Sequence, residues 1–248
     1  MKVDQTIDRC RELCAEPLGT TAERWKESHP GGCVVAAFPV WSPAEVIHAG
    51  GMLPLGLLGG GATVELTHAD SRFQSFVCSI AKSSLELGFQ GLVKGVDGLV
   101  FSNICDVARN LSSIYKRNFP HFHVDYLHLP QNSTSAGVAD YMVEELRRLA
   151  RGFEAAFGVR ITDASLAKSI ELYNSIRARI RDLYAFRIAE PQKLSTVELY
   201  QVLRAATQAP PEETLSRLDD LLAELPAREG RPKDRIRVVV EGAFCEQP

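Results

Sequence analysis

The chain has 248 residues, 45% hydrophobic and 24% charged, and reads as an ordinary globular protein long enough for one large domain or two small ones. Its net charge of −3, with 28 basic and 31 acidic residues interspersed, leaves no electrostatic footprint for nucleic acid or a membrane surface. No apolar stretch reaches the ~20 residues that span a bilayer, and Met1 to Glu12 is charged where a signal peptide has its apolar core, so the expected location is cytoplasmic. In that compartment six cysteines point to metal binding, redox chemistry or plain burial rather than to a disulfide framework.

In chain order, Asp4 to Ala15 and Thr20 to Ser28 read as helices, and GGCVVAAF (31–38) as a short buried strand. SPAEVIHAGG (42–51) reads as a helix with Ser42 as cap, Pro43 at the first helical position and a glycine stop. The apolar run MLPLGLLG (52–59) follows, ending in glycines 59–61. Then come a helix through FVCSIAKSSLELGFQGL (76–92), the strand GLVFSN (98–103), a helix CDVARNLSSIYKRNF (105–119) and the strand HVDYLHLP (123–130). Short apolar strands alternating with amphipathic helices predict an α/β fold: a Rossmann-like parallel sheet with helices on both faces, over residues 1–134.

From Ser135 the character changes to a helical segment, 135–228. Long helices are expected at 135–158 and 163–188, the latter with Leu166, Ile170, Tyr173, Ile176 and Ile180 at three- and four-residue spacing, and shorter ones at 195–207 and 211–225. After the charged, Pro- and Gly-broken linker 226–235, IRVVVEGAF (236–244) is again a buried-strand pattern. Residues 229–248 are therefore expected to start a second α/β domain whose remainder is absent, the alternative being an added edge strand on the first sheet.

In an open α/β sheet, ligands lie beyond the carboxyl ends of the strands. Cys105 stands there, after GLVFSN and at the start of a helix, where the helix dipole and free N–H groups stabilise a thiolate. Cys78 begins the preceding helix in the same way, so the two thiols would converge. Their separation of 27 residues in the chain excludes a compact CxxC knuckle and suits a cluster built from separate loops, although free cysteine is also among the most buried residue types. Cys245 follows a strand pattern and has the same topological claim. Cys10 and Cys14, one helical turn apart, and Cys33 read as packing residues. His121 and His123 share a strand face without metal spacing. No GxGxxG, Walker lysine or GxSxG elbow is present.

The segment AAFPVWSPAEVIHAGGMLPLGLLGGG (36–61) resembles the signature of the 2-hydroxyacyl-CoA dehydratase and benzoyl-CoA reductase family, with an aromatic-Pro turn, a Pro-x-Glu helix start, an AGG helix end and a PL strand in that order. The resemblance continues through FVCSIAKSSLELG and VFSNICDVARNL, where the family places cluster ligands, and covers nearly the whole chain; IRVVVEGAFCEQP resembles the first strand of the family's second Rossmann-like domain. The compact helical segment and VEGAFCEQP look more like a subunit of ATP-dependent benzoyl-CoA reductase than like a dehydratase subunit.

The resemblance implies a 4Fe-4S cluster held by three cysteines of each subunit. Cys78 and Cys105 match the first two, and Cys245 is the candidate third ligand or a neighbour of the cluster. It also implies a homologous cluster-bearing partner subunit, a separate ATP-hydrolysing activator supplied by ferredoxin, and an acyl-CoA substrate, benzoyl-CoA. Adding one electron to such a thioester gives a high-energy ketyl radical anion, so the donor must have a very low potential in a site that excludes water. ATP is thus expected only on the activator, in keeping with the lack of a nucleotide motif. Glu45 is a candidate for positioning or protonating the substrate, or a first-turn carboxylate favoured by the helix dipole; Asp106 reads as a first-turn helix residue or as one that shapes hydrogen bonding around the cluster sulfurs. A 2-hydroxyacyl-CoA dehydratase subunit and a non-catalytic α/β scaffold are the alternatives.

Overall fold

The computed structural model describes residues 3–61 and 64–231, together with Ile236 and Val238. Its elements are α1 (Val3–Ala15), α2 (Leu18–Ser28), β1 (Val34–Ala37), α3 (Ala44–Ala49), β2 (Leu53–Gly56), α4 (Ser79–Phe89), β3 (Gly98–Ser102), α5 (Asp106–Asn118), β4 (His123–Leu127), α6 (Val138–Phe157), α7 (Asp163–Ala189), α8 (Thr196–Ala205) and α9 (Pro211–Glu224). They form two compact units: residues 17–169, and the described residues before 17 together with those after 169. Among the described residues no helix is long and apolar enough to cross a membrane.

The first unit is the expected α/β arrangement. Four parallel strands lie in the order β2-β1-β3-β4, with Val34 opposite Leu53, Val35 opposite Gly98 and Gly98 opposite His123. The central strands VVAA and GLVFS are buried at every position, as strands covered on both faces must be. At one edge, β2 tolerates Pro54, which cannot donate to a ladder. At the other, β4 alternates buried Val124 and Leu127 with the half-exposed His123, Asp125 and Tyr126. Val35, Ala37, Val100 and Leu127 pack with Val46 and Ile47 of α3 and Leu149 and Phe153 of α6. On the opposite face Phe101 meets Phe38 and Tyr115, and the Tyr115 hydroxyl, on α5, donates to the Ser84 carbonyl of α4.

The second unit is helical. Ile7, Cys10 and Leu13 of α1 share a core with Ile176 and Leu183 of α7, Leu199 and Val202 of α8 and Leu218 and Leu221 of α9. The helix expected at 4–15 thus belongs to this unit, and its Cys14 thiol donates to the Gln201 carbonyl at 3.3 Å. Ser195 and Glu198 close a reciprocal capping box at the start of α8.

Local readings differ from the structure at a few places. Pro43, not Ser42, is the N-cap of α3, and no side chain caps it. Gly51, at φ 71°, supplies the left-handed turn that ends the segment. Cys33 precedes β1 and is half-buried. Ile170 is 42% exposed although its spacing matched that of Ile176, which is buried. The strand pattern 236–244 and Cys245 lie outside the described residues apart from Ile236 and Val238, which are exposed.

Candidate functional site

The strand order reverses between β1 and β3, because β1 leads outward to β2 while β3 leads the other way to β4. The carboxyl ends of those two central strands border the crevice in which open α/β sheets bind ligands. Cys105, three residues beyond the end of β3, is the N-cap of α5, with an extended backbone and a sulfur that accepts the Ala108 N–H at 3.4 Å. Cys78 is the N-cap of α4, and its side chain makes no capping hydrogen bond. Both thiols are exposed at the positive end of a helix.

Each cysteine is delivered by a fixed approach. After β3, the Asn103 side chain grips the backbone of Leu129, donating to its carbonyl at 2.8 Å and accepting its N–H at 2.6 Å, which ties the turn before Cys105 to the chain beyond β4. Before Cys78, residues 64–77 run along α4 from its C-terminal end to its N-terminal end. Gln90 donates to the Glu65 carbonyl at 3.2 Å. Lys82 pairs with Asp70 at 2.8 Å and donates to the Ser75 carbonyl at 3.4 Å. Between them the fully buried Glu86 accepts the N–H groups of His68 and Ala69 at 2.9 and 2.7 Å, contacts the His68 ring nitrogen Nδ1 at 2.8 Å and accepts Gln90 Nε2 at 3.3 Å. Burial alone would raise the Glu86 carboxyl, but the His68 side chain, then the backbone donors and Gln90, hold it below the ordinary value.

A cleft of about 590 Å³ lies between this covering segment and α5. Val77, next to Cys78, and Asp106, next to Cys105, both line it, although neither cysteine does; Phe76, 84% exposed, also lines it, and Arg72 and Arg117 add cationic groups. Glu45 is half-buried in the first turn of α3 and does not line this cleft. Cys10, Cys14 and Cys33 are partly or wholly buried, with thiols pushed up by desolvation, as suits packing residues. His123 lies edge-on to Phe153 and Phe157 and pairs loosely with Asp125 at 3.8 Å. Cys245 lies outside the described residues, and among these no group of three His, Cys, Asp or Glu side chains is placed to hold a metal ion. Two accessible thiols at neighbouring helix starts suit an iron-sulfur cluster in kind and would supply part of a ligand set.

Asn103 and Glu86 shape this site without having stood out in the sequence. The signals that mark them are an Asn directly after a buried strand, and Lys82, Glu86 and Gln90 at four-residue spacing along one side of a largely buried helix.

The chain is 41% identical over its whole length to a benzoyl-CoA reductase subunit of Thauera aromatica, covering 64% of that protein. It is 28% identical over 99% of its length to the beta subunit of lactoyl-CoA dehydratase of Anaerotignum propionicum, covering 64% of it, and 27% identical over its whole length to the beta subunit of (R)-2-hydroxyglutaryl-CoA dehydratase of Acidaminococcus fermentans, covering 65%. The chain therefore spans somewhat less than two thirds of the length of these relatives. The family model described as 2-hydroxyglutaryl-CoA dehydratase, D-component, matches residues 39–248, and the chain belongs to that family.

Proposed function

We propose that the chain is a subunit of an ATP-dependent benzoyl-CoA reductase, holding a low-potential 4Fe-4S cluster and part of an acyl-CoA pocket for one-electron reductive dearomatisation. The observation that carries this reading is the pair of exposed thiols, Cys78 and Cys105, capping consecutive helices beside one cleft, in a chain 41% identical to a benzoyl-CoA reductase subunit. When bound, the cluster supplies a strongly reducing one-electron donor. Cys78 and Cys105 would hold it, with Cys245 as the candidate third ligand or a neighbour of the cluster. Glu45, in the first turn of the helix after β1, is the candidate for positioning or protonating the substrate, the other reading being a first-turn carboxylate favoured by the helix dipole. The partners are a homologous cluster-bearing subunit and ATP-hydrolysing activating subunits, with ferredoxin upstream and ATP bound only by the activator. The second reading, a subunit of a (R)-2-hydroxyacyl-CoA dehydratase, is favoured by the family description and the dehydratase relatives.

The test is iron and acid-labile sulfide, with an EPR spectrum after reduction, on protein purified without oxygen and co-expressed with its partner subunits. Near four irons per cluster-bearing subunit, lost in Cys105→Ala, are expected, and turnover of benzoyl-CoA with ATP then separates ring reduction from dehydration. Iron unaffected by Cys105→Ala removes that residue as a ligand, and a complex without iron favours a non-catalytic scaffold.

A further inference from the structure

The covering segment 64–77 is fastened to α4 by side chains at 82, 86 and 90, a stripe of four-residue spacing, and ends at Cys78. We propose that Glu86 is a positioning residue: by fixing the register of this segment along α4 it sets the Cys78 thiol beside that of Cys105. The proposal rests on both thiols serving one group, and it concerns how this chain brings them together.

Three features single out Glu86 within the stripe. Its carboxylate is fully buried, a placement that is costly unless every lone pair is used. Its partners include two consecutive backbone N–H groups, those of His68 and Ala69, so a slip of the segment by one residue breaks the pair of bonds at once. His68 adds a side-chain contact and lies over the Phe89 ring at 5.3 Å, which clamps the same point from the other side. An apolar residue at 86 would bury the same surface without specifying where along it the segment stops. The Lys82 bond to the Ser75 carbonyl then leaves only three residues to Cys78, a reach of ~10 Å at most.

The test uses the full chain freed of iron by chelation and treated with dibromobimane, which joins two neighbouring thiols and fluoresces once both arms have reacted. A Cys78–Cys105 product, identified by peptide mass and missing from Cys105→Ala, is expected in the wild type and in Glu86→Gln, which keeps an acceptor for the two N–H groups. It is expected to be lost in Glu86→Ala and reduced in His68→Ala, whose half-exposed position keeps the test open if Glu86→Ala fails to fold. Leu85→Ala empties a fully buried site on the same helix without removing any of the hydrogen bonds that hold the segment, and is expected to retain the product. Unchanged cross-linking in Glu86→Ala and His68→Ala, equal loss in Leu85→Ala, or no product in the wild type overturns the proposal. A pattern that holds in a chain whose complex contains no iron supports the positioning role while refuting the cluster, so the two failures are distinguishable.

Discussion

Arg228 meets Glu198 with its guanidinium Nη2 2.7 Å from Oε1, and the same nitrogen reaches Asp4 at 2.7 Å, so the chain just after α9 is tied to the starts of both α8 and α1. Burial would raise the Glu198 carboxyl, but the hydrogen bond from Arg228 and those from Ser195 outweigh it and push it down to about 2 from 4.5. The folded state therefore binds fewer protons than the unfolded state between those values. The contribution, ~3 kcal/mol, is complete above pH 4.5 and disappears as the pH falls toward 2. Thermal unfolding followed from pH 6 to pH 2 is expected to show a shallower acid loss in Glu198→Gln than in the wild type.

Asn103 serves Leu129 as both donor and acceptor, so Asn103→Ala is expected to cost ~1 to 3 kcal/mol on denaturant unfolding. If the turn before Cys105 needs that grip, iron retention falls in the same variant even where the protein stays folded. Retention equal to the wild type would assign Asn103 to stability alone.

Tyr115 is fully buried among Phe101, Phe119 and Phe122, with its hydroxyl on the Ser84 carbonyl. Tyr115→Phe removes one hydrogen bond and is expected to cost ~1 kcal/mol, whereas Tyr115→Ala opens a cavity between α4 and α5 and costs ~3 to 5 kcal/mol. Urea midpoints of the two variants check the ratio.

The thiols divide by reactivity. Cys10 is fully buried and pushed up to about 11, so its thiolate at pH 8 amounts to ~one part in a thousand. Alkylation of the iron-free chain, read residue by residue by peptide mass, is expected to reach Cys78 and Cys105 first and to spare Cys10 until the protein is unfolded.

Much of the α/β unit was legible because its signals are local. VVAA and GLVFS are apolar runs bounded by polar or glycine-rich chain, and the positions of Cys78 and Cys105 followed from counting strands and helices. The residues that escaped reading depend on partners far away in sequence or without a period. Glu86 meets a segment 17 to 18 residues earlier that carries no helical or strand pattern. α1 reads as an amphipathic helix, but its packing partners lie almost two hundred residues further on, as the Cys14 contact with Gln201 illustrates. At Ser42 a strong local preference lost to Pro43, whose fixed φ already suits the residue before a helix.

The cap at the start of α5 carries a cost. Oxygen side chains satisfy the exposed N–H groups at a helix start better than sulfur does, and the 3.4 Å contact from Ala108 to the Cys105 sulfur is long for that purpose. A serine would do the local job well, and Cys105→Ser should leave the helix at least as stable. The fold thus tolerates an inferior cap at one of its most exposed corners, and at α4 it forgoes a side-chain cap altogether. What the chain retains in exchange is a soft, polarisable atom at each corner, so the scaffold and the chemistry can be separated experimentally by exchanging a single atom.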